Sequence, residues 1–380
     1  MPYNSLLIKP DGGLSMCCAQ RQIFDFGHIS TTPNLQKAWE ENEKSLAVKN
    51  YDFDTVEFAC GHCLRESKNS ENRWVQVNTN NFYVKIPTDG KIRFLEFTTS
   101  NLCNQTCTTC SSYFSSKWKY LEEEAVELSL PLDKWKNGES FNSFGQEHYR
   151  LSDDDIEKIF TLLPDLHVIY VKGGEPFADD NNYRVLKELI RVNPNCIIQL
   201  STNMSKLPEK YLTLLSGRDV RISCSIDGID ETYNYVRSTK FENTLENLKR
   251  WKDAKIKGRT VVSITASLHN MYNMNESLEF WDKRISDVDG AYVQRWVNAP
   301  YFLSPSYIMT QEQIDDYYKS YLKKFNGYRV RSDNLYTLKS KPIDDNWRET
   351  LIKRFHMYNR FMNYKRGINI YDIHPQLRDI

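Results

Sequence analysis

Between about residue 91 and residue 297 the chain alternates short β-branched or apolar runs with longer stretches whose apolar positions recur every three to four residues. The short runs predict strands at 92–98, 167–172, 196–202, 220–226, 260–267 and 291–297. The longer stretches predict helices at 153–163, with Ser152 as N-cap, and at 182–191, 208–215, 241–255 and 275–284. Strands that alternate with helices in this way build a parallel sheet from βα units. Right-handed crossovers between six such units curl the sheet into a partial, TIM-like (β/α)6 barrel. In such barrels the loops at the C-terminal strand ends face the ligand, so that is where a site is expected.

The flanks read differently. Residues 5–9, a turn at Asp11, Gly12 and Gly13, and residues 14–18 predict a β-hairpin that delivers Cys17 and Cys18. A helix at 34–49 follows, then a loop with Cys60, Gly61, His62 and Cys63, in which His62 reads as a solvated loop residue. Residues 121–150 are polar and weakly patterned, an insertion that could form a lid. Beyond 301 the helical pattern returns at 311–325 and 347–364. The expected organisation is an α/β chain with a small metal-binding domain over 1–85, the partial barrel over 86–300 and a helical extension over 301–380.

Composition narrows the picture without changing it. The 380 residues include 40% apolar and 13% aromatic side chains, too many for a disordered chain. Fifty Lys and Arg balance fifty Asp and Glu, so no bulk charge draws the chain to a polyanion. Residues 319–366 are locally basic, with 13 Lys or Arg against 4 Asp or Glu, interleaved with aromatics. This tail reads as a solvated helix face over an aromatic core; phosphate contacts and base stacking are the alternative. No apolar run reaches the length of a membrane span and no leader follows Met1, so a soluble cytoplasmic protein with no membrane partner is expected.

In a reducing compartment nine cysteines are not expected to form disulfides. Cys196 and Cys224 stand alone in apolar segments and read as buried hydrophobes. The other seven are clustered, and the sharpest cluster is Cys103, Cys107 and Cys110, a C-x-x-x-C-x-x-C loop directly after the first barrel strand. Three thiolates on one tight loop can hold three irons of a [4Fe-4S] cube and leave the fourth iron open to a ligand. A zinc knuckle is the alternative, but a structural zinc takes four closed ligands, and that loop offers no fourth Cys or His.

Here the sequence resembles the radical S-adenosylmethionine (radical SAM) enzymes. The loop from Phe97 to Cys110, with Asn104 after the first cysteine and Ser115-Ser116-Lys117-Trp118 after the third, resembles the family's opening motif. Gly173-Gly174-Glu175-Pro176 ends the second strand as the family's Gly-Gly-Glu-Pro loop does, and the resemblance implies that its carbonyls and Glu175 receive the SAM ammonium group. A tight turn with a capping Glu is the plainer alternative. The resemblance likewise implies ribose contacts from Ser201 and Asn203 at the end of the third strand. At the fourth it implies contacts from Ser225 and Asp227, with Ser225 and Arg237 holding the SAM carboxylate, for which a planar, permanently charged fork is suited. Val293 to Trp296 on the sixth strand would meet the adenine.

The N-terminal segment resembles the twitch or SPASM type of auxiliary iron-sulfur domain. Pro2-Tyr3-Asn4-Ser5, Lys9-Pro10-Asp11-Gly12, Cys17-Cys18, Ala38-Trp39 and Cys60-x-x-Cys63 follow that order, and Arg366-Gly367 to Pro375-Gln376-Leu377 resembles the tails of twitch-type relatives. Two departures accompany it. The domain precedes the barrel here, whereas in many relatives it follows, and the further cysteine that relatives often carry before the Pro matched by Pro2 is either missing or lost to a truncated start. The resemblance implies an auxiliary iron-sulfur cluster on Cys17, Cys18, Cys60 and Cys63, with zinc as the alternative for that ligand set. It also implies SAM and a [4Fe-4S] cluster as cofactors and an electron donor such as flavodoxin or ferredoxin. The substrate would be a peptide, protein or small molecule whose carbon loses a hydrogen. A non-catalytic iron-sulfur or zinc protein and a nucleic-acid-modifying enzyme of the same family are the rival readings.

Overall fold

The computed structural model describes residues 4–16, 25–43, 46, 89–132, 135, 148–284, 286–322 and 330–380. Cys17, Cys18, Cys60 and Cys63, the expected auxiliary ligands, lie outside the described residues. In chain order the elements are β1 (Ser5–Ile8), β2 (Leu14–Ser15), α1 (Leu35–Glu41), β3 (Phe94–Thr98), α2 (Trp118–Glu127), α3 (Asp153–Phe160) and β4 (Val168–Lys172). Then come α4 (Asp180–Val192), β5 (Ile197–Thr202), α5 (Glu209–Leu215), β6 (Val220–Ser225), α6 (Asp230–Arg237), α7 (Phe241–Asp253), β7 (Thr260–Ala266) and α8 (Met274–Lys283). The last are β8 (Gly290–Trp296), α9 (Pro305–Ile308), α10 (Gln311–Tyr321), β9 (Val330–Arg331), α11 (Asp345–Arg366) and α12 (Ile370–Ile373). The fold is α/β with a mostly parallel sheet, as the alternating pattern implies.

The chain divides into two compact units, residues 1–100 with 148–200, and residues 101–147 with 201–380. In the first the strand order is β2-β1-β3-β4-β5, antiparallel only at the β1–β2 hairpin. The predicted hairpin is present, and β1 runs parallel to β3 with Ser5 opposite Phe94. Phe94, Val168 and Ile197 share one register row and form a buried cluster against Tyr170. All five residues of β3 are buried, the signature of a strand covered on both faces. Trp39 of α1 is fully buried and donates its indole N–H to Ser5 O at 2.9 Å. Helix α3 starts as predicted: Ser152 and Asp155 form a reciprocal capping box, and three Asp in the first turn complement the helix dipole. It stops earlier than the pattern suggests, at Phe160, where a short turn containing Pro164 takes over.

In the second unit the order is β6-β7-β8-β9, parallel throughout, with a register shift between Ile264 and Thr265 on β7. Several elements depart from the sequence reading, among them α10, which ends at Tyr321, and β9, which was not predicted. Helix α2 occupies the start of the stretch read as an unpatterned insertion, because Trp118, Glu122 and Ala125 recur on one buried face among its charged residues. The segment after β6, where no helix was predicted, contains α6, which places Arg237 on its last turn. Helix α11 is longer than predicted and buries Leu351, Phe355, Tyr358 and Met362 at helical spacing. It ends at Gly367, whose φ of +63° makes the left-handed C-cap that glycine adopts without strain. Cys196 and Cys224 are buried as expected, and burial pushes the Cys196 thiol up to about 12. Among the described residues no helix is long and apolar enough to cross a membrane.

Candidate functional site

In the first unit, the strand ends of β3 and β4 build a backbone cradle. Gly173 has a φ of +109°, and a Cβ there would lie 2.3 Å from Thr98 Cγ2 and 3.0 Å from Ser100 O, so only glycine fits. Gly174 N–H donates to Ser100 O at 3.3 Å. Glu175 is 2% exposed, and its Oε1 accepts from Phe177 N–H at 3.2 Å, capping a short turn that opens at Pro176. The capping role weighed for Glu175 is therefore real, and it occupies Oε1. Asp179, which the sequence reading did not single out, accepts from Thr99 Oγ1 at 2.8 Å and Ser100 Oγ at 2.5 Å. It ties the residues directly after β3 to the turn after β4. Nearby burial holds the His148 imidazole down at about 4, against the pull of Asp11 and Asp179.

In the second unit, the cysteine loop is held almost atom by atom. Cys107 is buried, and Cys103 and Cys110 are half-buried. Cys110 N–H closes a turn on Cys107 O at 2.9 Å. Gln105 is 1% exposed; its amide nitrogen donates to Ser205 Oγ at 3.1 Å and Thr239 Oγ1 at 2.8 Å, while its carbonyl oxygen lies 3.3 Å from Cys107 Sγ. Ser115 Oγ donates to Gln105 O at 2.6 Å and Trp118 Nε1 to Cys107 O at 3.0 Å. These two bonds give the Ser-Ser-Lys-Trp segment its use, since it fastens the loop from behind.

Several expected site residues meet this loop. Asn203 Nδ2 donates to Asn104 Oδ1 at 2.9 Å and lies 3.9 Å from Cys103 Sγ. Ser201 and Ser225 sit at strand ends, on β5 and β6. Arg237 joins two of the expected site residues: Nη2 pairs with Asp227 Oδ2 at 2.7 Å and Nη1 faces Cys107 Sγ at 3.6 Å, while the buried Nε has no hydrogen-bond partner among the described residues. Asp227, 2% exposed, also accepts from Thr265 N–H at 2.7 Å, next to the register shift in β7. Burial alone would lower the Arg237 guanidinium; Asp227 and then Cys107 reverse this and hold it above its ordinary value. Burial likewise pushes the Asp227 carboxyl up, against Arg237 and the Thr265 N–H. Sequence reasoning missed Tyr358 and Arg366. Tyr358 OH donates to Thr108 O at 2.7 Å, and Arg366 donates to Thr106 Oγ1 at 2.8 Å and to Thr106 O.

The donor set fits an iron-sulfur cube better than a lone ion. Among the described residues no group of three His, Cys, Asp or Glu converges on one point. A cube asks for one thiolate per iron, so its ligands need not converge. Three cysteines on one fastened loop, a guanidinium beside one sulfur and an amide beside another match that requirement, since cluster sulfurs accept hydrogen bonds.

Among curated proteins none matches the chain. Solved structures with similar backbones include anSMEcpe with bound AdoMet and the Cp18Cys peptide, at 16% identity and a TM-score of 0.39 over 73% of this chain and 62% of that one. SuiB of Streptococcus suis bound to S-adenosylmethionine matches at 13% identity and a TM-score of 0.38, over 88% of this chain and 61% of its own. TYW1 with a lysine-pyruvate adduct matches at 15% and 0.36, over 68% of this chain and 87% of its own. This chain thus spans less than two thirds of the anSMEcpe and SuiB chains it matches. The stretch that opens at Phe97 on β3 and holds the cysteine loop, the Gly-Gly-Glu-Pro turn, Asn203, Asp227 and Arg237 matches the model of the Radical SAM superfamily over residues 97–280.

Proposed function

We propose that the chain is a radical SAM enzyme whose [4Fe-4S] cluster is held by Cys103, Cys107 and Cys110. When bound, that cluster and SAM together supply a reductive cleavage that yields methionine and a 5′-deoxyadenosyl radical able to take hydrogen from a substrate carbon. The observation that carries this reading is the cysteine loop itself. It sets three cysteines within eight residues, and it is fastened by Trp118, Ser115, Gln105 and Tyr358. A fixed loop presents ligands without further ordering cost.

The chain's own residues then have distinct tasks. Asn203 and Arg237 lie against Cys103 and Cys107 and stabilise sulfur-borne charge. The Arg237 Nε, buried and without a protein partner, is the donor left for the SAM carboxylate, with Ser225. Gly173, Gly174, Glu175 and Pro176 receive the SAM amino group, Gly173 because its missing side chain leaves the backbone approachable. Ser201, Asn203 and Asp227 complete the cofactor set, with Val293 to Trp296 toward the adenine. An auxiliary iron-sulfur cluster on Cys17, Cys18, Cys60 and Cys63 within a twitch-like segment over 1–85, and a flavodoxin- or ferredoxin-type electron donor in a reducing cytoplasm, belong to the same proposal. The substrate is a peptide, protein or small molecule.

The test is anaerobic loading with iron and sulfide. The reduced cube should give an electron paramagnetic resonance signal that changes when SAM occupies the open iron. Joint replacement of Cys103, Cys107 and Cys110 by Ala should abolish the SAM-responsive signal. A wild-type signal indifferent to SAM would rule the reading out.

A further inference from the structure

Three consecutive carbonyls of the cysteine loop are captured by side chains. Thr106 O is taken by Arg366, Cys107 O by Trp118 at 3.0 Å and Thr108 O by Tyr358 at 2.7 Å. Two of the three captors come from α11, about 250 positions downstream. Arg366 does the most. Its Nη1 donates to Thr106 Oγ1 at 2.8 Å and its Nε to Tyr235 O at 3.0 Å, so one planar fork joins the loop to α6. The neighbouring Lys365 pairs with Glu124 of α2, and Gly367 ends the helix directly after Arg366. The α11 terminus is thereby fixed on both sides of the guanidinium. This is a poor place for a merely decorative charge, since the half-buried Arg366 has no carboxylate among its hydrogen-bond partners.

We propose that Arg366 is a positioning residue for the cluster: it fixes the backbone at Thr106, directly before Cys107, and supplies a permanent positive charge that raises the reduction potential of a cube bound there. The inference rests on the reading of Cys103, Cys107 and Cys110 as cluster ligands. Its physical basis is simple. A reduced cube carries one more negative charge than an oxidised one, so a nearby cation favours the reduced form. At an effective dielectric of about 20, a unit charge about 10 Å away biases a one-electron equilibrium roughly tenfold. Arg366 bonds both the hydroxyl and the carbonyl of Thr106, the residue directly before Cys107, which brings its guanidinium to the cysteine loop. The rival account makes Arg366 an anchor for α11 alone, although that helix is already seated by Leu351, Phe355, Tyr358 and Met362.

Three variants separate these accounts. Arg366→Met removes fork and charge, Arg366→Lys keeps the charge, and Tyr358→Phe removes one loop bond without touching charge. Two readouts are used: hydrogen exchange of residues 104–110 in cluster-free protein, and the midpoint potential of the loaded cube by electron paramagnetic resonance titration. Arg366→Met should speed exchange in the loop about tenfold and make the potential more negative by the equivalent of tenfold, about 59 mV for one electron. Arg366→Lys should exchange fast yet recover most of the potential, and Tyr358→Phe should exchange fast at an unchanged potential. An unchanged potential in Arg366→Met overturns the inference, as does an equal shift in Tyr358→Phe. If Arg366→Met does not fold, a potential in Arg366→Lys shifted as far as the tenfold expected for complete charge loss overturns it too. Wild-type protein that takes up no cube would instead overturn the underlying assignment of the cysteine loop, a result visible before any variant is compared.

Discussion

Replacing Asp227 with Ala should be among the most damaging single changes in the second unit. The carboxylate is 2% exposed and accepts from Arg237 Nη2 and Thr265 N–H, each at 2.7 Å. Losing those bonds matters less than what stays behind, a guanidinium only 12% exposed whose Nε already has no protein partner. Removing one member of a buried pair costs about 3 to 5 kcal/mol, because the other is left charged and uncompensated. That is a large share of the about 5 to 15 kcal/mol that keeps a domain folded. At about 2 to 4 °C per kcal/mol for a unit of this size, the melting temperature should fall by roughly 6 to 20 °C. Asp227→Asn, which can still accept from Thr265, should fall between wild type and Ala. The assay is urea unfolding of cluster-free protein under reductant, followed by tryptophan fluorescence, for both single variants and the Asp227→Ala/Arg237→Ala double. The double should be less destabilised than the sum of the singles by about 2 kcal/mol or more, near the top of the range for directly paired residues. Additive effects would refute the pairing.

Two further expectations follow from local geometry. Gly173→Ala forces a Cβ to within 2.3 Å of Thr98 Cγ2 at a φ of +109°, so it should cost about 2 to 4 kcal/mol in denaturant unfolding, the sum of backbone strain and overpacking. The His374 imidazole, buried and beside Thr232 Oγ1 at 3.0 Å, is held down at about 4. The unfolded chain protonates near 6.5 while the folded one resists, so the stability this histidine contributes is complete above pH 6.5. It is lost as pH falls toward 4, by about 3 kcal/mol in all. His374→Gln should flatten that part of the stability–pH curve, and an unchanged slope would contradict the assignment.

Much of this was legible from residue pattern because the parallel strands are largely buried and rich in apolar residues. Runs such as Phe94 to Thr98 and Val168 to Lys172 are mostly apolar, aromatic or β-branched, and both are strands. The Ser152 cap was legible for a local reason, a side chain bonding three residues ahead. Helix α6 was not, because Ile229 stands at its N-cap with no side-chain bond and Asp230 starts it at a φ of +48°. The Asp227–Arg237 pair was hidden with it. The contributions of Tyr358 and Arg366 were illegible for another reason: they act on Thr106 and Thr108 across more than 240 positions, and their sequence neighbourhood reads only as a basic helix face. Tertiary contact, not propensity, gives them their roles.

The central claim is that Cys103, Cys107 and Cys110 hold a cube at which SAM is cleaved. The most direct measurement is chromatographic quantitation of 5′-deoxyadenosine after anaerobically loaded protein is mixed with SAM and dithionite. Wild type should release it over time, and the protein with all three cysteines changed to Ala should release none, even if it retains iron elsewhere. Wild-type protein with a full cube and no 5′-deoxyadenosine would contradict the account.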